Sequence, residues 1–266
     1  MIRALFFDID GTLLGPDGHI SPRTRAALLS CKASGIRIFG ATGRPPRLGT
    51  MLRFDAEERE IVADGGVFNN GACLELEGQR TYVLLPDQVV RRFLSAALED
   101  PEHTVWVQMA DGRVSSRFGF SDQDRVVWGL DLQDVLPFEP ETFHRVISVG
   151  IGLPAARLED VAARVRRAVG DAMTLYLHVW GAIEGTDRQA NKMLGVRRVL
   201  DRYGWADDEI AVFGDHVNDV EMLREFPHSF AMDNAPDEVK TLARHVAGHH
   251  MEEGIFHALR DVLGLV

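Results

Sequence analysis

The sequence predicts an α/β protein: a parallel-sheet domain interrupted by an inserted module of α+β character. Three observations carry this expectation. The first eighty residues alternate strand-like apolar runs with helical patterns. From about Tyr82 the texture changes to hairpin signals and amphipathic helices. After about Asp187 the β–α alternation returns. The simplest division is a domain made of residues 1–81 and 188–266, with residues 82–187 inserted. No internal repeat or low-complexity tract is present.

The elements follow in order. Arg3 to Phe7 reads as a buried strand. Ser21-Pro22 reads as an N-cap with proline at the first helical position, and Ala27, Leu28 and Cys31 give the apolar face of that helix before Gly35 stops it. Ile36 to Phe39 is the next strand, followed by a short helix around Arg47 to Phe54 and a strand at Ile61-Val62-Ala63. In the insert, Pro86 to Leu98 is an amphipathic helix. Val105 to Met109 and Val114 to Phe118 flank the turn Asp111-Gly112-Arg113 as a hairpin. Arg145 to Gly150 and Leu175 to Trp180 are strands around the helix Pro154 to Val169. The final part reads as the helix Lys192 to Tyr203, the strand Glu209 to Phe213, the helix Val217 to Arg224 and the strand Ser229 to Met232. Helices at Pro236 to Arg244 and Gly254 to Leu263 close the chain.

Composition narrows the function. Hydrophobic residues make up 45% of the 266 and charged residues 26%, as in a soluble globular protein with a sizeable core. The formal net charge of −11 argues against nucleic acid and anionic membranes as partners. It leaves room for a small anion, because a metal and a few local cations outweigh the global field at close range. Two cysteines, Cys31 and Cys73, form neither a disulfide framework nor a zinc site and read as buried thiols of a cytoplasmic protein. No signal peptide and no membrane-span-length apolar stretch is expected. Oligomeric state is not legible.

The chemistry is written where apolar strands end. Asp8-Ile9-Asp10-Gly11-Thr12-Leu13 follows the first strand, Thr42-Gly43-Arg44 the second, and Gly214-Asp215 with Asn218 and Asp219 a later one. Lys192 opens the helix before that later strand. Ligands of open α/β sheets bind at the carboxyl ends of the strands, so these clusters converge on one edge. Packing does not ask for two acids at the mouth of an apolar strand; a divalent cation and a phosphoryl group do. Asp8 and Asp215 offer the hard oxygens that Mg²⁺ prefers. Asp8 is also suited to nucleophilic attack on phosphorus, and Asp10 to protonating the leaving oxygen and then activating water. Thr42 and Gly43 offer a hydroxyl and an open backbone N–H to phosphate oxygens, and Lys192 a compact positive charge. Both cations are needed. A like-charge pair at contact distance costs ~4 kcal/mol at an effective dielectric of about 20.

Several motifs also have blander readings. A calcium loop starting at Asp8 would need glycine and glutamate where Leu13 and His19 stand. Gly150-Ile151-Gly152-Leu153-Pro154-Ala155 imitates a dinucleotide fingerprint but reads as a strand-to-helix turn. His245, His249 and His250 read as a surface turn, lacking carboxylate or cysteine partners at metal-site spacing. Trp106, Gln108, Arg117, His178 and Trp180 of the insert are either substrate-facing or, for the aromatics, core. Arg44 either supports the loop holding Thr42 or touches substrate.

Taken together, the motifs resemble the haloacid dehalogenase superfamily and its Cof-like hydrolases. The resemblance rests on Asp8-Ile9-Asp10-Gly11-Thr12-Leu13, Ala41-Thr42-Gly43-Arg44-Pro45, Lys192 and Gly214-Asp215-His216-Val217-Asn218-Asp219. Asn70-Gly71-Ala72 and Met232-Asp233-Asn234-Ala235 add to it. It implies a Rossmann-like parallel-sheet core with an inserted α+β cap that sets substrate specificity. It implies Asp8 as nucleophile and metal ligand, and Asp10 as general acid/base whose backbone carbonyl also binds Mg²⁺. Asp215 would be the remaining protein ligand of the metal. Phosphate would be held by Thr42, Gly43, Lys192, Asn218 and the backbone of Ile9. Asp219 would orient Lys192 or a water on the metal, and Arg44 would play a supporting part. The chain departs from the pattern at Met193 and Asp233, where glycine is usual; neither change removes a chemical group. The expected activity is Mg²⁺-dependent hydrolysis of a small phosphorylated metabolite through an aspartyl phosphate. A phosphomutase or phosphotransferase, or an inactive phosphometabolite-binding protein, is the alternative.

Overall fold

The computed structural model describes residues 1–52 and 54–266. In chain order the regular elements are β1 (Ala4–Phe7), α1 (Pro22–Ala33), β2 (Arg37–Ala41), α2 (Leu48–Met51), α3 (Ala56–Ile61), β3 (Gly65–Phe68), β4 (Cys73–Leu76) and β5 (Gln79–Tyr82). There follow α4 (Asp87–Ala97), β6 (Thr104–Met109), β7 (Val114–Ser116), α5 (Asp122–Trp128), β8 (Val135–Leu136), β9 (Val146–Gly152), α6 (Leu158–Val169), β10 (Met173–His178) and β11 (Ala182–Asp187). The chain ends with α7 (Lys192–Tyr203), β12 (Ile210–Gly214), α8 (Val220–Glu225), β13 (Ser229–Ala231), α9 (Asp237–Lys240), β14 (His245–Val246) and α10 (Gly254–His257). Two compact units emerge: Met1–Thr81 with Lys192–Val266, and Tyr82–Asn191. Among the described residues no helix is long and apolar enough to cross a membrane.

The first unit is built on an eight-stranded sheet of order β14-β13-β12-β1-β2-β3-β4-β5. From β14 to β3 every neighbouring pair is parallel, and β4 runs antiparallel to β3. β1 is buried along its whole length because helices cover both faces of a parallel sheet. Aromatic side chains lock its register. Phe6 stacks on its β2 partner Phe39 at 5.0 Å, and Phe7 on its β12 partner Phe213 at 4.7 Å. Phe6, Phe39 and Val212 pack with Val196, Val199 and Leu200 of α7 and Leu223 of α8. The chain leaves β1 toward β2 on one side, while β12 flanks β1 on the other. That reversal of strand order opens a crevice at the carboxyl edge.

Two readings of this unit are corrected. The strand expected at Ile61-Val62-Ala63 is the end of α3 and the turn after it; the strand is β3, a few residues on. A capping box decides it. The Asp55 side chain accepts from the Glu58 N–H, and the Glu58 carboxylate accepts from the Asp55 N–H, both at 3.0 Å. Glu58 is fully buried and also takes bonds from Arg25, His19 and the Ile20 N–H, which fixes α3 against α1. The helix expected over Arg47 to Phe54 includes Arg53, which lies outside the described residues; α2 is its described part. The helix expected over Pro236 to Arg244 is only the single turn α9.

The second unit has a six-stranded sheet of order β10-β11-β9-β6-β7-β8. Its pairs are antiparallel except β7 with β8. α4 and α6 cover one face. Val105, Val107, Val149, Ile151 and Ile183 meet Val90, Phe93, Val161 and Val165 there, at the period-two and helical spacings such faces require. The opposite face carries Trp106 and Gln108. Trp106 is buried, with Trp128 packed edge-on at 6.0 Å, whereas Trp180 is 70% exposed. Core is therefore the right description of Trp106 and the wrong one of Trp180. The Gly-x-Gly of the imitation fingerprint lies inside β9 rather than in a turn, so no phosphate loop forms there.

Candidate active site

Three strands of the first unit end in polar residues side by side. β1 runs into Asp8, whose N–H still donates to the Phe213 carbonyl of β12 at 2.9 Å. The chain then folds into a tight turn in which Ile9 is buried and Asp10 is extended. Gly11 takes φ +76, a left-handed conformation that favours glycine. A Cβ there would also lie 2.4 Å from Asp215 Oδ2. β12 ends at Gly214, where a Cβ would lie 2.4 Å from Asp219 Cγ. Gly11 thus lets a carboxylate of the neighbouring loop approach its backbone, and Gly214 lets the Asp219 carboxylate fold back on its own loop.

A fully buried ammonium joins the acids. Lys192 Nζ, on the first residue of α7, donates to Asp8 Oδ1 and to Asp219 Oδ1, each at 2.7 Å. The other oxygen of Asp219 accepts the backbone N–H groups of Asp215 and His216, each at 3.0 Å. Asp219 is therefore committed to holding Lys192 and shaping the loop. Asp215 accepts the Thr12 hydroxyl at 2.8 Å. Oxygens of Asp8, Asp215 and Asp219 lie within 4.8 Å of one another.

Three carboxylates share one ammonium, and the imbalance shows in their acidities. Burial raises the Asp8 carboxyl well above the usual carboxylate range; Lys192 opposes that rise, and Asp219 and Asp215 add to it. Asp215 is pushed up to about 6, first by burial and then by Asp219. Burial alone would lower Lys192, but Asp219 and Asp8 outweigh it and raise the lysine. The surplus negative charge and the hard oxygen donors fit a divalent cation. Asp8, Asp215 and Asp219 are the carboxylates close enough together to hold one.

Around this centre lie the remaining expected residues. Thr42 follows β2, donates its N–H to Val67 of β3 at 2.8 Å, and accepts the Arg44 N–H on Oγ1 at 3.1 Å. Gly43 lies beside Asn70, and Asn70 Oδ1 accepts from Asn218 Nδ2 at 2.8 Å. Asp10 is 56% exposed and engaged by Arg44 through two bonds of 2.6 Å. The structure thus brings Asp8, Lys192, Asp215 and Asp219 into one cluster, pairs Asp10 with Arg44, and joins Asn218 to the Thr42–Gly43 loop through Asn70.

Thr12, Asn70 and Asn234 also serve the site, although sequence reasoning gave them no role. Asn234 donates to the Gly11 carbonyl at 2.8 Å and accepts from the His250 N–H at 3.2 Å, tying the β13 end to the first turn. Asn69 and Asn70 both have positive φ, a conformation asparagine tolerates, and the Asn-Asn-Gly triplet was the available signal. His249 and His250 stack on each other at 4.7 Å, while the metal-competent group among the described residues is Asp8, Asp215 and Asp219.

Comparison with known proteins gives the family. A family model for haloacid dehalogenase-like hydrolases matches residues 5–259. The chain is 34% identical to the 5-amino-6-(5-phospho-D-ribitylamino)uracil phosphatase YbjI of Escherichia coli (strain K12), covering 98% of this chain and 96% of that one. It is 28% identical to the phosphatase YitU of Bacillus subtilis (strain 168), named for the same substrate, over 97% and 96% of the two chains. The fold matches that of the subclass IIB sugar phosphatase BT4131 with a TM-score of 0.83, at 24% identity over 99% and 100% of the chains. A parallel sheet whose central strands end in these acids, matched over nearly its whole length, places the chain in the haloacid dehalogenase-like hydrolase family.

Proposed function

We propose that the protein is a Mg²⁺-dependent phosphatase of small phosphorylated metabolites, working through an aspartyl phosphate. The observation that carries this reading is the buried Asp8, held by Lys192 beside Asp215 and Asp219. An Asp8 oxygen bonds to phosphorus as the ester P–O bond breaks, and Asp10 supplies the proton to the departing alcohol oxygen. Asp10 then takes a proton from water, whose oxygen attacks phosphorus. Inorganic phosphate leaves and the Asp8 carboxylate is restored. Thr42, Gly43, Asn218, the Ile9 backbone and Lys192 hold the phosphoryl oxygens. Asp8, Asp215 and the Asp10 carbonyl would hold Mg²⁺, which would supply positive charge against the phosphoryl oxygens.

The substrate class is a phosphomonoester of a sugar or polyol. Relatives named for a ribityl phosphate and a sugar phosphate support that choice, since both carry phosphate on a polyhydroxylated carbon chain. The inserted unit is the part that selects the leaving group. Buried free thiols at Cys31 and Cys73 suit a reducing cytoplasm.

The test is phosphate release from a panel of phosphomonoesters with and without Mg²⁺, for wild type and Asp8→Asn. Expected is Mg²⁺-dependent turnover that falls at least about 10³-fold in the variant, whose volume is unchanged and whose nucleophile is gone. Turnover that survives in Asp8→Asn, or none in the wild type across the panel, refutes the assignment.

A further inference from the structure

Asp10 is the exposed member of the acid set, with more than half of its side chain open to solvent, whereas Asp8 and Asp219 are buried and Asp215 is partly so. A short side chain in that position has no packing to fix its direction. Arg44 fixes it. The Arg44 Nε donates to Asp10 Oδ2 and Nη2 donates to Oδ1, each at 2.6 Å. A side-on guanidinium of this kind sets the plane of a carboxylate as well as its place, which a lysine does not. The arm has a firm base. The Arg44 N–H donates to Thr42 Oγ1 at 3.1 Å, its carbonyl accepts from the Asn69 N–H at 2.9 Å, and the Asn70 N–H donates to the Thr42 carbonyl at 3.0 Å. The loop that carries Thr42 and Gly43 therefore also carries the group that aims Asp10.

We propose that Arg44 is a positioning residue for Asp10, acting on proton delivery to the leaving oxygen rather than on phosphate binding. The inference rests on the phosphatase reading above. The geometry favours it over a phosphate-binding role because both Nε and Nη2 face Asp10. The two roles differ in what they do to different esters. The alkoxide of a sugar or polyol is a poor leaving group and needs a proton as the P–O bond breaks. p-Nitrophenolate leaves without one. A misaimed Asp10 slows phosphoryl transfer from the first ester and spares the second, whereas a lost phosphate ligand slows both alike. A purely structural role would not separate them.

The experiment compares kcat/KM, which reports the transfer to Asp8, on glycerol phosphate and on p-nitrophenyl phosphate with Mg²⁺ present. Wild type, Arg44→Lys, Arg44→Gln, Asp10→Asn and the Asp10→Asn/Arg44→Gln pair are measured. Expected for both Arg44 variants is a loss of about 10²-fold on glycerol phosphate, the lower end of what a general acid contributes. The loss on p-nitrophenyl phosphate stays within about 3-fold, and that retained turnover shows that the variants fold. In the Asp10→Asn background, Arg44→Gln costs nothing further on glycerol phosphate, because its effect runs through Asp10. Equal losses on the two esters, or additive losses in the double variant, overturn the proposal and leave the phosphatase reading standing. A wild type that releases phosphate from no ester of the panel, these two included, overturns that reading and the proposal with it.

Discussion

The two units of this protein handle polar groups in opposite ways. The first buries an ion cluster: Lys192 is fully enclosed with Asp219 and Asp8, and the carboxylates outnumber the ammonium. The second has an apolar interior of valine, isoleucine and phenylalanine between α4, α6 and one sheet face. Ion pairs there, such as Arg113 with Asp111, are partly exposed, and the buried His103 beside Asp100 stands alone rather than in a cluster of acids. Buried charge costs stability unless it is paired and hydrogen-bonded, whereas apolar burial favours folding by itself. The first unit therefore carries an unbalanced buried charge that suits a cation-binding site, and the second is organised around an apolar core.

No stability effect expected from this contrast exceeds that at Lys192. Lys192→Met keeps the length and apolar stem of the side chain but leaves Asp8 and Asp219 without their cation. Truncating one side of a buried pair costs about 3–5 kcal/mol. Calorimetry or a denaturant midpoint should register that loss, and saturating Mg²⁺ should recover part of it, because a divalent cation offsets the same carboxylates. If the variant is as stable as wild type, the ion cluster is not held by Lys192 in the way the 2.7 Å bonds indicate.

The same contrast explains what was legible in the sequence. Asp8, Thr42 and Asp215 stood out because each follows an apolar strand whose burial is itself readable, and strand ends on one edge of a parallel sheet must converge. β3 was misplaced because Gly65-Gly66 has little strand propensity, while the more apolar Ile61-Val62-Ala63 lies at and beyond the end of a capped helix. The box Asp55-Ala56-Glu57-Glu58 was the signal that placed α3. Asn70 and Asn234 were invisible as supports because their partners, Asn218 and Gly11, are 148 and 223 residues away in the chain. In the second unit β11 and α5 went unread. The run Ala-Ile-Glu-Gly-Thr-Asp has no clean alternation of apolar and polar residues, and seven helical residues are too few to show a period.

A second prediction separates the scaffold from the site. Phe93 of α4 is fully buried in the core of the second unit. Phe93→Ala removes that ring and leaves a cavity, at about 3–5 kcal/mol. Amide hydrogen exchange should show lost protection in β6, β9, α4 and α6, with protection in β1, β2 and β12 retained, because Phe93 belongs to the core cluster of the second unit and those strands contribute to that of the first. Uniform loss through the whole chain would show that the units unfold as one body and would weaken the contrast between them.

The smallest effect on stability is expected at Trp180, on the turn between β10 and β11. Its indole is 70% exposed, with His178 as a tilted ring neighbour at 5.3 Å. So little area is removed from water that Trp180→Ala should shift the melting temperature by no more than about 2 °C, in line with exposed sites generally. An exposed tryptophan on a scaffold whose core is already filled contributes little to folding, so a role in choosing the leaving group would appear in selectivity alone. The measurement is the ratio of kcat/KM between a bulky phosphomonoester, such as a nucleoside monophosphate, and glycerol phosphate. A ratio that changes several-fold at constant melting temperature assigns Trp180 to substrate choice. A fall in melting temperature of 5 °C or more, with the ratio unchanged, would make it a packing residue and reverse the description of that hairpin.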